Sequence, residues 1–112
     1  MVEKYLNNNE RIIFSTKGVV SVDEESGFTA YVTNQRVIFF NRRGLLFKKD
    51  RLIDILHRHI SGVNFREEGL IFKKKLLNIK GTNIDINLQG KSSDLGELHK
   101  QINNQLLQAS QV

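Results

Sequence analysis

The sequence predicts a mainly β fold: a seven-stranded antiparallel barrel of two nearly orthogonal sheets, capped by a C-terminal α-helix. Three observations lead there. Short runs of Val, Ile, Leu and Phe recur along residues 10–89, bounded by Gly, Asn, Asp or charged pairs. Two positions, Gly18 and the neighbourhood of His59, read as bends in otherwise extended chain. After Gly90 the apolar period changes from two to helical spacing.

Met1–Leu6 reads as a short helical turn with Tyr5 and Leu6 packing down. Glu10–Val22 is the first strand, rich in the β-branched and aromatic residues that suit a pleated half-buried surface, with Gly18 as its corner. Val22–Gly27 is a polar turn. Phe28–Thr33 and Arg36–Asn41 form a hairpin closed by Asn34–Gln35, since Asn tolerates a left-handed turn backbone. Both faces of its second strand are apolar, Val37 with Phe39 and Ile38 with Phe40, and alternation sends only one pair to the core.

Arg43–Gly44 turns the chain into Leu45–His57, and Ile60–Glu67 continues after the corner. Glu68–Gly69 leads to Leu70–Lys80, and Gly81–Asn83 to Ile84–Gln89, which alternates cleanly. Leu95, Leu98, Ile102 and Leu106 then make one helical stripe, worth about 6–12 kcal/mol as an upper figure when buried. Asp94 with Glu97 reads as a capping-box start, with Ser92 and Ser93 as rival caps. The organisation is one domain over 1–112: an N-terminal turn (1–9), the barrel (10–90) and the capping helix (92–108). With 112 residues and no Cys, one core suffices and a disulfide framework is excluded. No apolar run is long enough to span a bilayer, and the N-terminus lacks a signal-type apolar region, so the expected location is cytoplasmic.

The family likeness rests on order as well as on single motifs. Leu6–Asn7–Asn8–Asn9–Glu10 leads into the first strand. Tyr31–Val32–Thr33–Asn34–Gln35–Arg36–Val37–Ile38 carries a Thr-Asn-x-Arg turn between apolar strands. Gly44–Leu45 precedes a basic segment, then Ile53–Asp54–Ile55 and Ile60–Ser61–Gly62–Val63, and Leu95–Gly96–Glu97–Leu98 runs on to Ile102. In this the chain resembles the bacterial PH-like domain family, a relative of the PH and GRAM domains. The resemblance implies a seven-stranded barrel with a capping helix, membrane-lipid or protein binding, and no catalytic residues. One departure stands out. Phosphoinositide-binding PH domains carry basic residues around the first loop, where this chain has Asp23–Glu24–Glu25.

Charge is uneven along the chain. Residues 1–34 hold three Lys/Arg and five Asp/Glu, residues 35–59 seven and two, residues 60–112 seven and five. The basic middle makes Asn41–Arg51 the first candidate site: Arg42, Arg43, Lys48, Lys49 and Arg51 flank Leu45, Leu46 and Phe47. A projecting loop of this kind dips apolar side chains into a bilayer while the cations meet phosphates. Its electrostatic part is worth roughly 4 kcal/mol, a millimolar-scale attraction. The bland reading is that Leu45–Phe47 start a strand and the charges are solvated.

The doubly apolar hairpin is the second candidate. Tyr31, Ile38 and Phe40 form an interface if left uncovered, and a homo-oligomer is then expected; the N-terminal turn or a neighbouring sheet is the alternative cover. Lys73–Lys74–Lys75 reads as edge-strand lysines, since only Phe72 offers an adjacent stacking platform for nucleic acid. Gly90–Lys91–Ser92 lacks the preceding glycine of a phosphate loop, for Asp85 stands there. His57 and His59 share a strand face without a third metal ligand, and His99 has no nucleophile beside it.

These readings predict a non-catalytic binding module without cofactor, metal or small-molecule substrate. Its partner is a protein or an anionic membrane surface, the latter placing it peripherally at the inner face. A basic barrel that binds nucleic acid is the alternative.

Overall fold

The computed structural model describes residues 2–43, 49–69 and 74–110. The strands are β1 (Ile12–Ser15), β2 (Val20–Val22), β3 (Glu25–Thr33), β4 (Arg36–Arg43), β5 (Lys49–Leu56), β6 (Ile60–Glu68), β7 (Lys74–Gly81) and β8 (Ile84–Gln89), followed by helix α1 (Ser92–Ser110). A 3-10 turn, Val2–Tyr5, precedes them and another, His57–His59, makes the corner between β5 and β6. The order is β5-β4-β3-β2-β8-β7-β6, all antiparallel, with β1 paired to the far end of β3.

The described residues therefore form eight strands where the sequence predicts seven. Gly18 does more than bend the first strand; it divides it. Ile12–Ser15 pairs with the end of β3, while Val20 and Val22 pair with its start and also with β8. Because β2 touches both β3 and β8, it is the hinge where one sheet layer passes into the other. The opposite junction is open: among the described residues no pairing joins β5 to β6, and α1 packs on β6 and the corner turn instead. The architecture is a two-layer sandwich with a helix over its seam.

The bend is held from a distance. The Asp94 carboxylate accepts the Lys17 and Gly18 N–H groups, both at 3.0 Å. Asp94 is 5% exposed, and the helix starts at Ser92, with the Leu95 N–H donated to the Lys91 carbonyl. The capping-box reading is thus corrected: Asp94 serves another element, a job invisible to local spacing. The expected stripe is real, with Leu95, Leu98 and Ile102 fully buried and Leu106 packed against the same core. They meet Phe28, Phe39, Leu77, Ile79 and Leu88 between the layers.

Three other local expectations change. The first hairpin turn is only Asp23–Glu24, both left-handed (φ 47° and 73°), so β3 starts at Glu25. Asn34 is not among the described residues with positive φ; its side chain does the work, as shown below. Lys74 and Lys75 lie on β7, which runs between β6 and β8 and so is no edge strand. Lys75 bonds to the Ser92 hydroxyl at 2.9 Å, and Lys73 lies outside the described residues.

The second apolar face of β4 is closed within the chain. Val2, Ile38 and Phe40 are buried together, with Leu6, Ile12, Tyr31 and Leu52 packed around them. The Tyr5 and Phe40 rings stand 5.8 Å apart. Tyr31, Ile38 and Phe40 are therefore not the open face that an interface reading needs, because the N-terminal turn supplies the missing cover.

Replacing Asp94 with Ala leaves two backbone donors of the bend without their acceptor, and we expect a loss of about 1–3 kcal/mol in urea unfolding. Gly81 approaches the corner so closely that a Cβ there would lie 1.9 Å from the His59 carbonyl oxygen. Gly81→Ala must push backbone aside, and the same assay should show a loss of about 1–3 kcal/mol.

Candidate functional site

The Thr33–Arg36 turn is the local centre of the chain. The Thr33 hydroxyl oxygen accepts the N–H groups of Gln35 and Arg36 at 3.0 Å each, which closes the turn without a left-handed residue. The Asn34 side chain accepts the Arg11 N–H at 2.8 Å and donates to the Asn9 carbonyl at 3.1 Å. Gln35 donates to the Asn8 carbonyl and accepts from the Asn7 amide. The Asn-rich lead-in is therefore clamped onto the hairpin side chain by side chain.

Arg36 fastens the centre. Its guanidinium donates to Glu10 through Nε at 3.0 Å and Nη2 at 3.1 Å, a bidentate fork. Nη1 reaches Asp54 at 2.6 Å and Nη2 also reaches the Tyr5 carbonyl at 2.7 Å. The Glu10 side chain is 0% exposed. Burial pushes its carboxyl up, but the hydrogen bonds from Arg36 and Thr33 outweigh that and hold it below the usual carboxylate range. One cation thus ties the N-terminal segment, β4 and β5 together. Glu10 and Asp54 are the partners that sequence reading leaves unassigned, because nothing in their spacing from Arg36 marks them.

The same turn fixes the corner. The His57 N–H is donated to the Gln35 carbonyl at 3.2 Å, and its ring Nε2 lies 2.7 Å from the Thr33 carbonyl. His57 is buried and His59 exposed, on a 3-10 turn rather than one face of a strand. Among the described residues no group of three or more His, Asp and Glu side chains is placed to hold a metal.

Beside that corner lies a groove of about 740 Å³. One wall is His57, Arg58, Ile60 and Ser61, along the corner and the start of β6; the other is Asn103, Leu106 and Leu107 on α1. Leu107 is 60% exposed and Arg58 has no ion-pair partner among the described residues. Only the period of the helix hinted at this place: Leu107 is the apolar residue that falls off the core stripe.

The basic segment looks different in three dimensions. Arg42 lies opposite Asp50 in the β4–β5 register and donates to it at 3.0 Å; Lys4 stands 3.2 Å from the same carboxylate, which also accepts the Tyr5 hydroxyl. The Tyr5 hydrogen bond, then that of Arg42, holds the Asp50 carboxyl far below its usual range. Arg51 pairs with Glu25, at the start of β3, at 3.2 Å. Lys49 is exposed. Arg43 ends β4, while its side chain and Leu45, Leu46, Phe47 and Lys48 lie outside the described residues. The acidic first turn is engaged too, as Asp23 accepts the Asn87 N–H at 2.8 Å. Asp23 and Glu24 border a second, smaller cleft of about 320 Å³ with Arg66.

The sequence matches the bacterial PH domain family over residues 6–104. The chain belongs to that family. Its fold is similar to a pleckstrin homology domain from Shewanella amazonensis SB2B, at 19% identity and a TM-score of 0.67, covering 95% of this chain and 92% of that one. A DUF1696 family protein with such a domain from Shewanella loihica PV-4 gives 16% identity and 0.66, covering 94% and 86%. The Vps36 N-terminal PH domain gives 15% and 0.67, covering 96% and 86%. Comparison with curated proteins gives no match. At such identities the likeness carries the fold, which is typically that of a non-catalytic binding module. In this PH domain the Thr-Asn-x-Arg signature is architectural: it builds the turn on which the N-terminal segment, the ion-pair cluster and the corner converge. No helix among the described residues is long and apolar enough to cross a membrane.

Arg36→Ala strands a buried Glu10 carboxylate and should cost about 3–5 kcal/mol in chemical unfolding. A depressed Glu10 pKa means its stabilisation is present above the ordinary carboxylate value of 4.5 and lost as pH falls below it. A Tm profile from pH 6 to 3 should therefore drop in the wild type and flatten in part in Glu10→Gln.

Proposed function

We propose that this PH domain docks a protein partner, and that the groove between the corner turn, β6 and α1 takes an extended partner segment. The observation that carries the reading is the groove itself: it is lined by the apolar Ile60 and Leu106 and by an exposed Leu107, with an Arg58 that has no ion-pair partner among the described residues. β6 ends the strand order, so its outer edge has no strand partner among the described residues. Such an edge offers backbone groups to an added strand, while apolar pockets select its side chains. Arg58 favours an acidic residue beside the apolar anchor. The docking needs no catalytic group and no cofactor.

The anionic membrane reading draws less support from the geometry. Arg42 and Arg51 both already face carboxylates, which cancels much of the charge counted along the sequence. Self-association through the second hairpin face also loses its motive, since Val2 and Leu6 cover Ile38 and Phe40. A nucleic-acid role has no groove in which aromatic platforms and cations alternate among the described residues.

Selection of a displayed random-peptide library on the full chain tests the proposal. It should return apolar segments with an acidic neighbour whose binding falls at least tenfold in Leu107→Glu and in Arg58→Glu. Peptides that bind both variants as well as wild type count against the groove. Salt-sensitive flotation with anionic but not neutral vesicles, lost in Lys49→Glu with the groove intact, would favour the membrane surface instead.

A further inference from the structure

The groove wall contains a titratable group that the docking proposal does not use. His57 is 6% exposed, yet it borders the groove. Its Nε2 lies 2.7 Å from the Thr33 carbonyl, an acceptor only, so Nε2 must carry the proton and donate it. In the neutral ring Nδ1 is then a bare acceptor. Among the described residues it is the one buried side-chain nitrogen or oxygen with no hydrogen-bond partner.

We infer that His57 makes the groove proton-sensitive: the neutral ring keeps the corner turn seated on the Thr33–Arg36 turn, and protonation at Nδ1 unseats it and deforms the groove wall. This rests on the docking reading for its biological sense, although its test does not.

The physical reason is an asymmetry in what each form of the ring can satisfy. A neutral Nδ1 left unpaired inside the protein is a modest loss. A protonated one is a buried N–H donor, on a cation, with no acceptor in reach among the described residues, and that is far more costly. Burial accordingly pushes the His57 pKa down, opposed by its bond to Thr33 and by the negative charge of Glu10. The charged neighbours come from several elements. Glu10 is neutralised by Arg36, which also holds Asp54. The corner turn contributes Arg58 and His59, both exposed. On α1 the wall residues Asn103, Leu106 and Leu107 carry no charge, and His99 stands one turn earlier, near Asn103. None of these offers the Nδ1 proton an acceptor, so the cheapest relief is for the ring to leave its site. The backbone follows, because His57 is also tied to Gln35 through its own N–H.

The sign is fixed by the depressed pKa. The unfolded or unseated ring, with an ordinary value near 6.5, binds the proton more readily than the seated one. The seated corner is thus favoured at neutral pH and weakened as pH falls below about 6.5.

The chain has no Cys, so a Ser61→Cys/Leu107→Cys pair can be spin-labelled across the groove without background. Electron-spin distance measurement should give one separation at pH 7.5 and a shifted or broadened one at low pH. Imidazole NMR should show His57 titrating below 6.5 with the same midpoint as that shift, while circular dichroism reports a retained fold. In His57→Gln, which keeps a donor for Thr33 but cannot charge, the separation should be the same at both pH values. A wild-type separation indifferent to His57 titration would overturn the inference, and so would a shift that persists in His57→Gln. If that variant does not fold, the match or mismatch of the two wild-type midpoints decides. Neither readout uses a partner, so failure of the docking proposal leaves this result legible, and the reverse holds.

Discussion

A single buried guanidinium sets the terms for this PH domain. Arg36 cannot lose its charge in a protein, so wherever it is buried the chain must bring it anions and acceptors. Here they come from two distant stretches: Glu10 and the Tyr5 carbonyl in the N-terminal segment, and Asp54 on β5. The N-terminal segment is consequently held in place by electrostatics on one side and by Val2 on Ile38 and Phe40 on the other. The same turn that presents Arg36 also receives the corner through His57. The core could be packed by many sets of aliphatic residues; this convergence of polar bonds is what selects one arrangement of the ends.

Most of the strands were legible in the sequence because strand periodicity is a local signal. Ile84, Ile86 and Leu88 alternate with polar neighbours, and Leu95, Leu98 and Ile102 recur at helical spacing, so each announces its own face. The division of the first strand was not legible. Gly18 marks a bend, but what makes it a break is Asp94, and no local pattern links residue 18 to residue 94. The cover over Ile38 and Phe40 could be named from the sequence only as one of several alternatives, because a four-residue turn has too little periodicity to declare which face it buries. His57 and His59 looked equivalent in an extended reading and became opposite in character once the chain turned a corner between β5 and β6.

The candidate site shows how charge along a sequence differs from charge on a surface. Counting residues 35–59 gives a strong positive excess, yet Arg42 finds Asp50 directly across the hairpin and Arg51 finds Glu25 two strands away, at the start of β3. Pairing between strands is what a linear count cannot see. The groove was illegible from the other direction, because its two walls come from residues 57–61 and 103–107 and neither wall is unusual alone. It exists because the sheet order stops at β5 and β6, leaving a seam that the helix only partly fills.

The hold of Asp94 on the Lys17–Gly18 bend spans 76 residues. Loop closure over such a separation is slow and comes late, since its entropy must be lost before any contact repays it. The strand that opens the fold is therefore completed by the helix that closes it. Without α1 the ladders of β2 with β3 and β8 keep their backbone partners, but the Lys17 and Gly18 N–H groups at the bend leading into β2 lose their carboxylate acceptor. Seating of the helix and setting of the bend are thus coupled through one carboxylate, and Leu95, Leu98 and Ile102 place the same helix in the core shared by both layers.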